Sequence, residues 1–199
     1  MVQLRDYQQA GRVGRTVSAW YRIHAPSSSA RWLKIQQSGH WRASVERSGG
    51  RIAEFGSHGL NWLLWVLGPP LRVYGRALHV TKGFAVDDAD YGLITCRGGV
   101  GVIEINRHAG VAADLNCGVM GDGGSVVLKD GKILYTPMDQ PTQEVPPKAE
   151  VATMHAHLLD CIQLEHEPLS GIDAAVDTVR LCLAFNRSAQ SGRVEVVQD

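Results

Sequence analysis

GGRIAEFGSHGLNWLLWVLG, residues 49–68, decides how the rest of the chain is read. At about 100° per residue, Ile52, Phe55, Leu60, Leu63, Leu64, Val66 and Leu67 cover one broad side of a helix. Glu54, His58, Asn61 and Trp65 share a stripe about 60° wide on the other side. Gly68 and the pair Pro69-Pro70 stop the helix. Such a segment packs its broad side on a sheet and turns its narrow polar stripe elsewhere. Gly56 and Gly59 lie toward the apolar side, where each costs about 1 kcal/mol relative to Ala. Close approach to a sheet explains them, and so does a helix that begins later than residue 49.

Upstream, VGRTVSAWYRI (13–23) places Val13, Val17, Ala19, Tyr21 and Ile23 on one face, the period of a half-buried strand. The Ser- and Gly-rich stretch from Ala25 to Gly50 reads as a long loop. Downstream, residues 71–136 break into short period-two segments separated by GG, GDGG and KDGK turns. They read as consecutive antiparallel strands, with Asp130-Gly131 the clearest hairpin. A Pro-rich connector follows, then helical stretches over about 150–166 and 172–190, and VEVV as a last strand. This order predicts an α+β fold, a large, mostly antiparallel open β-sheet with helices packed on one face.

The 199 residues carry 20 Lys plus Arg against 20 Asp plus Glu. That balance offers no field for nucleic acid or an anionic membrane surface. LNWLLWVLG is too short to span a bilayer, which needs about 20 apolar residues. MVQLRDYQQAGRVG has no signal-peptide pattern, and Cys96, Cys117, Cys161 and Cys182 form no C-x-x-C pair. A cytoplasmic protein with free thiols is expected. His155-x-His157 with Asp160 and Cys161 lacks a complete ligand set, so no metal site is expected.

Glu54 precedes His58 by one helical turn. A carboxylate so placed can fix the imidazole tautomer and aim its other nitrogen at a substrate; the same spacing also suits a simple surface pair. Arg42 could donate to substrate oxygens or pair with Glu46. Trp20, Tyr21, Trp32 and Trp41 crowd the preceding region, and His108 could line a site from the sheet.

Trp41-Arg42, Gly49-Gly50 and Glu54-Phe55-Gly56-Ser57-His58-Gly59-Leu60-Asn61 together resemble the pattern W-R…G-G-G-x-L-x-D-x-G-x-H-x-x-D. That pattern belongs to the Gfo/Idh/MocA oxidoreductases, the glucose-fructose oxidoreductase and inositol dehydrogenase family. AGRVGRTVSAWYRI, VMGDGGSVVL and the segment from Pro168 to Val197 are similar to the family's opening strand, its turn and its closing helix and strand. The likeness runs over about residues 10–198 and matches the family's C-terminal, substrate-binding half. It implies hydride chemistry with NAD or NADP on a sugar, polyol or related carbonyl compound. His58 would then be the acid/base, Glu54 its orienting carboxylate, and Asn61, Arg42 and Trp41 substrate contacts. Glu54 and Asn61 stand where the family pattern has Asp.

The resemblance also implies a homo-oligomer formed through the sheet face. Neither Gly11-x-x-Gly14 nor Gly99-x-Gly101 opens a helix after a strand, as a dinucleotide turn must, so no Rossmann domain and no cofactor-binding residue is expected in this chain. Residues 1–10 look like the tail of the interdomain segment, and 11–199 like the C-terminal domain. A fragment, a half-enzyme paired with a separate Rossmann-domain chain, or a non-catalytic ligand-binding or assembly module derived from the family each fit.

Overall fold

The computed structural model describes residues 1–25, 27–107, 114–148 and 153–197. Helix α1 (Val2–Gln9) leads into β1 (Thr16–His24), followed by α2 (Ser29–Gln37), a 3-10 turn (Trp41–Ala43) and α3 (Val45–Ser48). A π-helical turn (Ile52–Gly56) runs directly into α4 (Ser57–Leu67). Strands β2 (Pro70–Leu78), β3 (Ala89–Cys96), β4 (Gly99–Asn106), β5 (Asp114–Gly121), β6 (Gly124–Lys129), β7 (Lys132–Pro137) and β8 (Gln143–Val145) come next. Helices α5 (Met154–Gln163) and α6 (Ile172–Ser191) and the short β9 (Glu195–Val196) close the chain.

The nine strands form one open sheet in the order β8-β7-β6-β5-β1-β4-β3-β2-β9. The expected α+β architecture is present. Eight neighbour relations hold the sheet together, and one of them is not the expected kind: β1 pairs parallel with β4 and antiparallel with β5. The meander therefore does not run past β1 but splits around it. A bulge between Thr16 and Ser18 also breaks the alternation read for β1, leaving Val17 exposed while Ala19 and Tyr21 are buried. The β6–β7 hairpin turns on Asp130 and Gly131, both at positive φ, as its sequence predicts.

The stretch expected to be a long loop is largely helical. Ser28, within that stretch, caps α2 by accepting from the Arg31 N–H. That helix sends Trp32 into a small second core with Ala43, Phe84 and Val86.

α4 and α6 cover one sheet face. Leu60, Leu63, Leu67, Leu181 and Phe185 are fully or almost fully buried with Tyr21, Ile94, Ile103 and Ile105 of the strands. α1 joins the same core through Leu4. The opposite face keeps Tyr74, Leu93, Val102 and Met120 exposed.

Of the two explanations for glycine in the quoted helix, close approach holds at Gly59. A Cβ there would stand 2.4 Å from Tyr21 Cδ1, well inside van der Waals contact. Gly59→Ala is expected to lower stability by about 1–2 kcal/mol, because overpacking outweighs the roughly 1 kcal/mol gain in helix propensity. Thermal melting checks this, and a raised midpoint would contradict it.

Candidate functional site

The π-helical turn lays Glu54 against two guanidinium groups. Glu54 Oε1 accepts from Arg42 Nε at 2.6 Å and Oε2 from Arg51 Nη1 at 2.7 Å. The Glu54 side chain is 5% exposed and that of Arg51 is fully buried, whereas that of Arg42 is 45% exposed. Arg51 lies 4.5 Å over the Trp32 ring and donates its backbone N–H to Asp87 Oδ2. Its Nε and Nη2 have no hydrogen-bond partner among the described residues.

The expected Glu54–His58 hydrogen bond is not among those the site forms. Helical side chains tilt toward the N-terminus, so Glu54 reaches back toward residues 42 and 51 and away from His58. Charged guanidinium donors also make stronger bonds to a carboxylate than a neutral imidazole does. The alternative Arg42–Glu46 pair does not form either; Glu46 accepts from Ser44 instead. His58 is exposed, and its ring meets Phe55 edge-on with centres 6.5 Å apart.

The lower half of the stripe is tied to other elements. Asn61 Nδ2 donates to Thr178 Oγ1 at 3.1 Å, and Oδ1 accepts from Ser170 Oγ at 3.2 Å, so Asn61 ties α4 to α6 and the loop before it. Trp65 lies under the Arg5 guanidinium, 4.1 Å from its ring centre. Of the four stripe residues only His58 is exposed, while the Glu54 side chain is held between its two arginines.

The other aromatics divide in the same way. Trp41 is 38% exposed, stacked on His40 and covered by Arg42 at 4.6 Å. Trp32 is buried beneath Arg51 and Arg107. Tyr21 belongs to the core, and Trp20 lies over Gly118 with its Nε1 donating to Asn116. His108 lies outside the described residues.

Two features carry no sequence signal. Arg107 stacks on Phe55 at 4.0 Å, and burial followed by the nearby Arg51 holds its pKa below the usual arginine value. Asp90, on β3, is fully buried with both oxygens lacking a donor among the described residues. Burial first, and then the neighbouring Asp87 carboxylate, push its pKa up to about 9. Burial and the neighbouring carboxylate thus both favour the protonated form of Asp90.

The unfolded chain ionises an Asp near 3.9, so the folded state holds a proton that unfolding releases. Stability from this group is full below about pH 4 and is lost as pH rises toward 9. Asp90→Asn is expected to stabilise the protein, with a gain that is absent near pH 4 and grows through neutrality. Denaturant melts at acid and mildly alkaline pH read this, and identical pH slopes for the two proteins would contradict it.

Among the described residues no three His, Cys, Asp or Glu side chains gather to hold a metal. His157 is occupied otherwise, accepting from the Leu169 N–H with Cys161 beside it. All four cysteines are free and buried. No helix among the described residues is long and apolar enough to cross a membrane.

Neither Gly11-x-x-Gly14 nor Gly99-x-Gly101 opens a helix. Gly11 and Gly14 lie in the turn between α1 and β1, and Gly99 and Gly101 lie in β4. A Cβ at Gly99 would be 2.5 Å from the Val17 carbonyl oxygen, so that glycine answers to strand packing.

Residues 1–127 match the family model described as the GFO/IDH/MocA C-terminal domain. No curated protein matches the sequence. Among solved structures, levoglucosan dehydrogenase in complex with NADH superposes with a TM-score of 0.84 at 15% identity, covering 98% of this chain and 62% of that one. The WlbA dehydrogenase from Bordetella pertussis, in complex with NADH and UDP-GlcNAcA, gives 0.77 at 17%, covering 100% and 60%. An oxidoreductase from Agrobacterium radiobacter, in complex with NAD+, L-tartaric acid and magnesium, gives 0.79 at 14%, covering 98% and 61%. The chain thus spans about three fifths of the length of these solved proteins. At such identities the likeness is one of fold.

Proposed function

The chain belongs to the GFO/IDH/MocA C-terminal domain family, and from that premise we propose that it is the substrate-binding half of an NAD(P)-dependent oxidoreductase. Its substrate would be a sugar, polyol or related carbonyl compound. The observation that carries this reading is His58: an exposed imidazole beside Phe55, with no hydrogen-bond partner among the described residues. Such an imidazole can take the proton of a substrate hydroxyl as the alcohol is oxidised, and return it in the reverse direction.

Glu54 supports His58 indirectly in this reading. It fixes Arg42 and Arg51 beside the site, where Arg42 retains exposed donors for substrate oxygens and Trp41 offers a flat apolar surface. Asn61 holds the helix that presents His58. The names of similar folds agree with this substrate class, since levoglucosan and UDP-GlcNAcA are carbohydrate derivatives. NAD or NADP would bind outside the glycines of this chain, on a Rossmann domain of the same or a separate polypeptide. α1 would be the tail of the segment that joins the halves. The exposed apolar sheet face, with Tyr74, Leu93 and Val102, would form the homo-oligomer.

A titration of the chain with glucose, myo-inositol and glucuronate, followed by tryptophan fluorescence, tests the substrate reading. Trp41 and Trp32 stand at the site and report occupancy. Saturable quenching by at least one of the three, weakened in His58→Ala, is expected. Quenching by none of them, or quenching that ignores His58, would contradict the proposal.

A further inference from the structure

We infer that the substrate of this site carries an anionic group and that Arg107 docks it. The inference rests on the reading of the surface around His58 as the substrate site. Arg107 makes no side-chain hydrogen bond or ion pair among the described residues, although its Nε is buried. Its guanidinium instead lies flat on Phe55, 4.0 Å from the ring centre, with Trp32 at 5.4 Å. Arg31, Arg42 and Arg51 all act on it electrostatically, against the single carboxylate of Glu54. Both Glu54 oxygens are already taken by Arg42 and Arg51. Arg107 is thus a surplus cation in a half-buried place among like charges. A cation so placed is disfavoured unless something supplies the missing negative charge.

The geometry specifies what that something is. A guanidinium stacked on an aromatic face keeps its N–H groups in one plane, which suits two oxygens of a carboxylate or phosphate. Phe55 is shared: Arg107 covers its face, while His58 meets the same ring edge-on at 6.5 Å. A substrate with one hydroxyl on His58 and an oxyanion on Arg107 would span Phe55. A sugar acid or a sugar phosphate meets both requirements, and a neutral polyol meets one.

Calorimetric titration with D-glucuronate, D-glucose 6-phosphate and D-glucose tests this, on the unaltered chain and on Arg107→Gln and Arg107→Lys. At least one anionic sugar is expected to bind about tenfold or more tightly than glucose. Preference for glucuronate alone identifies a carboxylate, and preference for the phosphate ester alone identifies a phosphate. The preference should shrink with added salt, vanish in Arg107→Gln and persist in part in Arg107→Lys. The melting temperature of Arg107→Gln should stay level or rise, because a purely structural arginine would lower it. The inference is overturned if neither anion outbinds glucose, or if the preference survives in Arg107→Gln. Equal affinities with His58-dependent glucose binding would remove the inference and leave the proposed function standing. Arg107-dependent anion binding that ignores His58→Ala would do the reverse.

Discussion

Glu54→Ala is expected to destabilise the fold by about 3–5 kcal/mol, the cost of stripping a buried cation of its partner. Arg51 is fully buried, and Glu54 is the one carboxylate bonded to its guanidinium among the described residues. Without that carboxylate Arg51 retains only the Trp32 face and the charge of more distant acids. At about 2–4 °C per kcal/mol for a chain of this size, the midpoint should fall by roughly 10 °C. Arg42→Ala removes the other partner of the same carboxylate. The Arg42 side chain is 45% exposed, so that change should cost less than about 1 kcal/mol. The contrast between the two variants is the informative measurement. Similar losses would mean that burial does not set the value of this pair. Glu54→Gln, which keeps the shape and one acceptor, should fall between them.

The second large effect concerns turnover. His58→Ala removes the group proposed to exchange a proton with the substrate hydroxyl, and general acid–base catalysis contributes about 10²–10⁴-fold. Among the described residues the imidazole makes no hydrogen bond and its one ring contact is edge-on to Phe55. Stability should therefore change by less than about 0.5 kcal/mol, as for other surface substitutions. The two effects separate cleanly. Glu54 acts first on the fold and only through its arginines on the site, whereas His58 acts on the substrate and not on the fold.

The helix that decides the fold was legible because its apolar positions and its terminator both point one way. Leu60, Leu63, Leu64 and Leu67 are buried, and Gly68 ends the helix at positive φ. The hairpin at Asp130-Gly131 was legible for the same reason, since a two-residue turn is a local event. The parallel partnership of β1 with β4 was not, because nothing local to either strand records which neighbour it takes across the sheet. α2 is hidden by its own cap: serines mark loops, yet serine is also a preferred helix N-cap, as Ser28 is here.

At the site, spacing pointed to Glu54 and His58 as a pair. The i,i+3 neighbour Arg51 carried an equally local signal that a charged donor would compete for the same carboxylate. Asn61 shares the stripe, and its bonds to Thr178 and Ser170 come from elements far along the chain, which spacing on one helix does not record. Arg107 and Asp90 gave no warning at all. Stacking on Phe55 and burial beside Asp87 are long-range or environmental facts that a strand pattern does not encode.

The most direct test joins this chain to a dinucleotide-binding half, on one polypeptide or in trans, and follows NADH formation with a bound sugar substrate in the presence and absence of His58. A fall of about 10²–10⁴-fold in turnover at saturating substrate in His58→Ala, with the fold kept, is the predicted result. Turnover unchanged by that substitution would contradict the assignment of His58 and, with it, the reading of this surface as the reacting site.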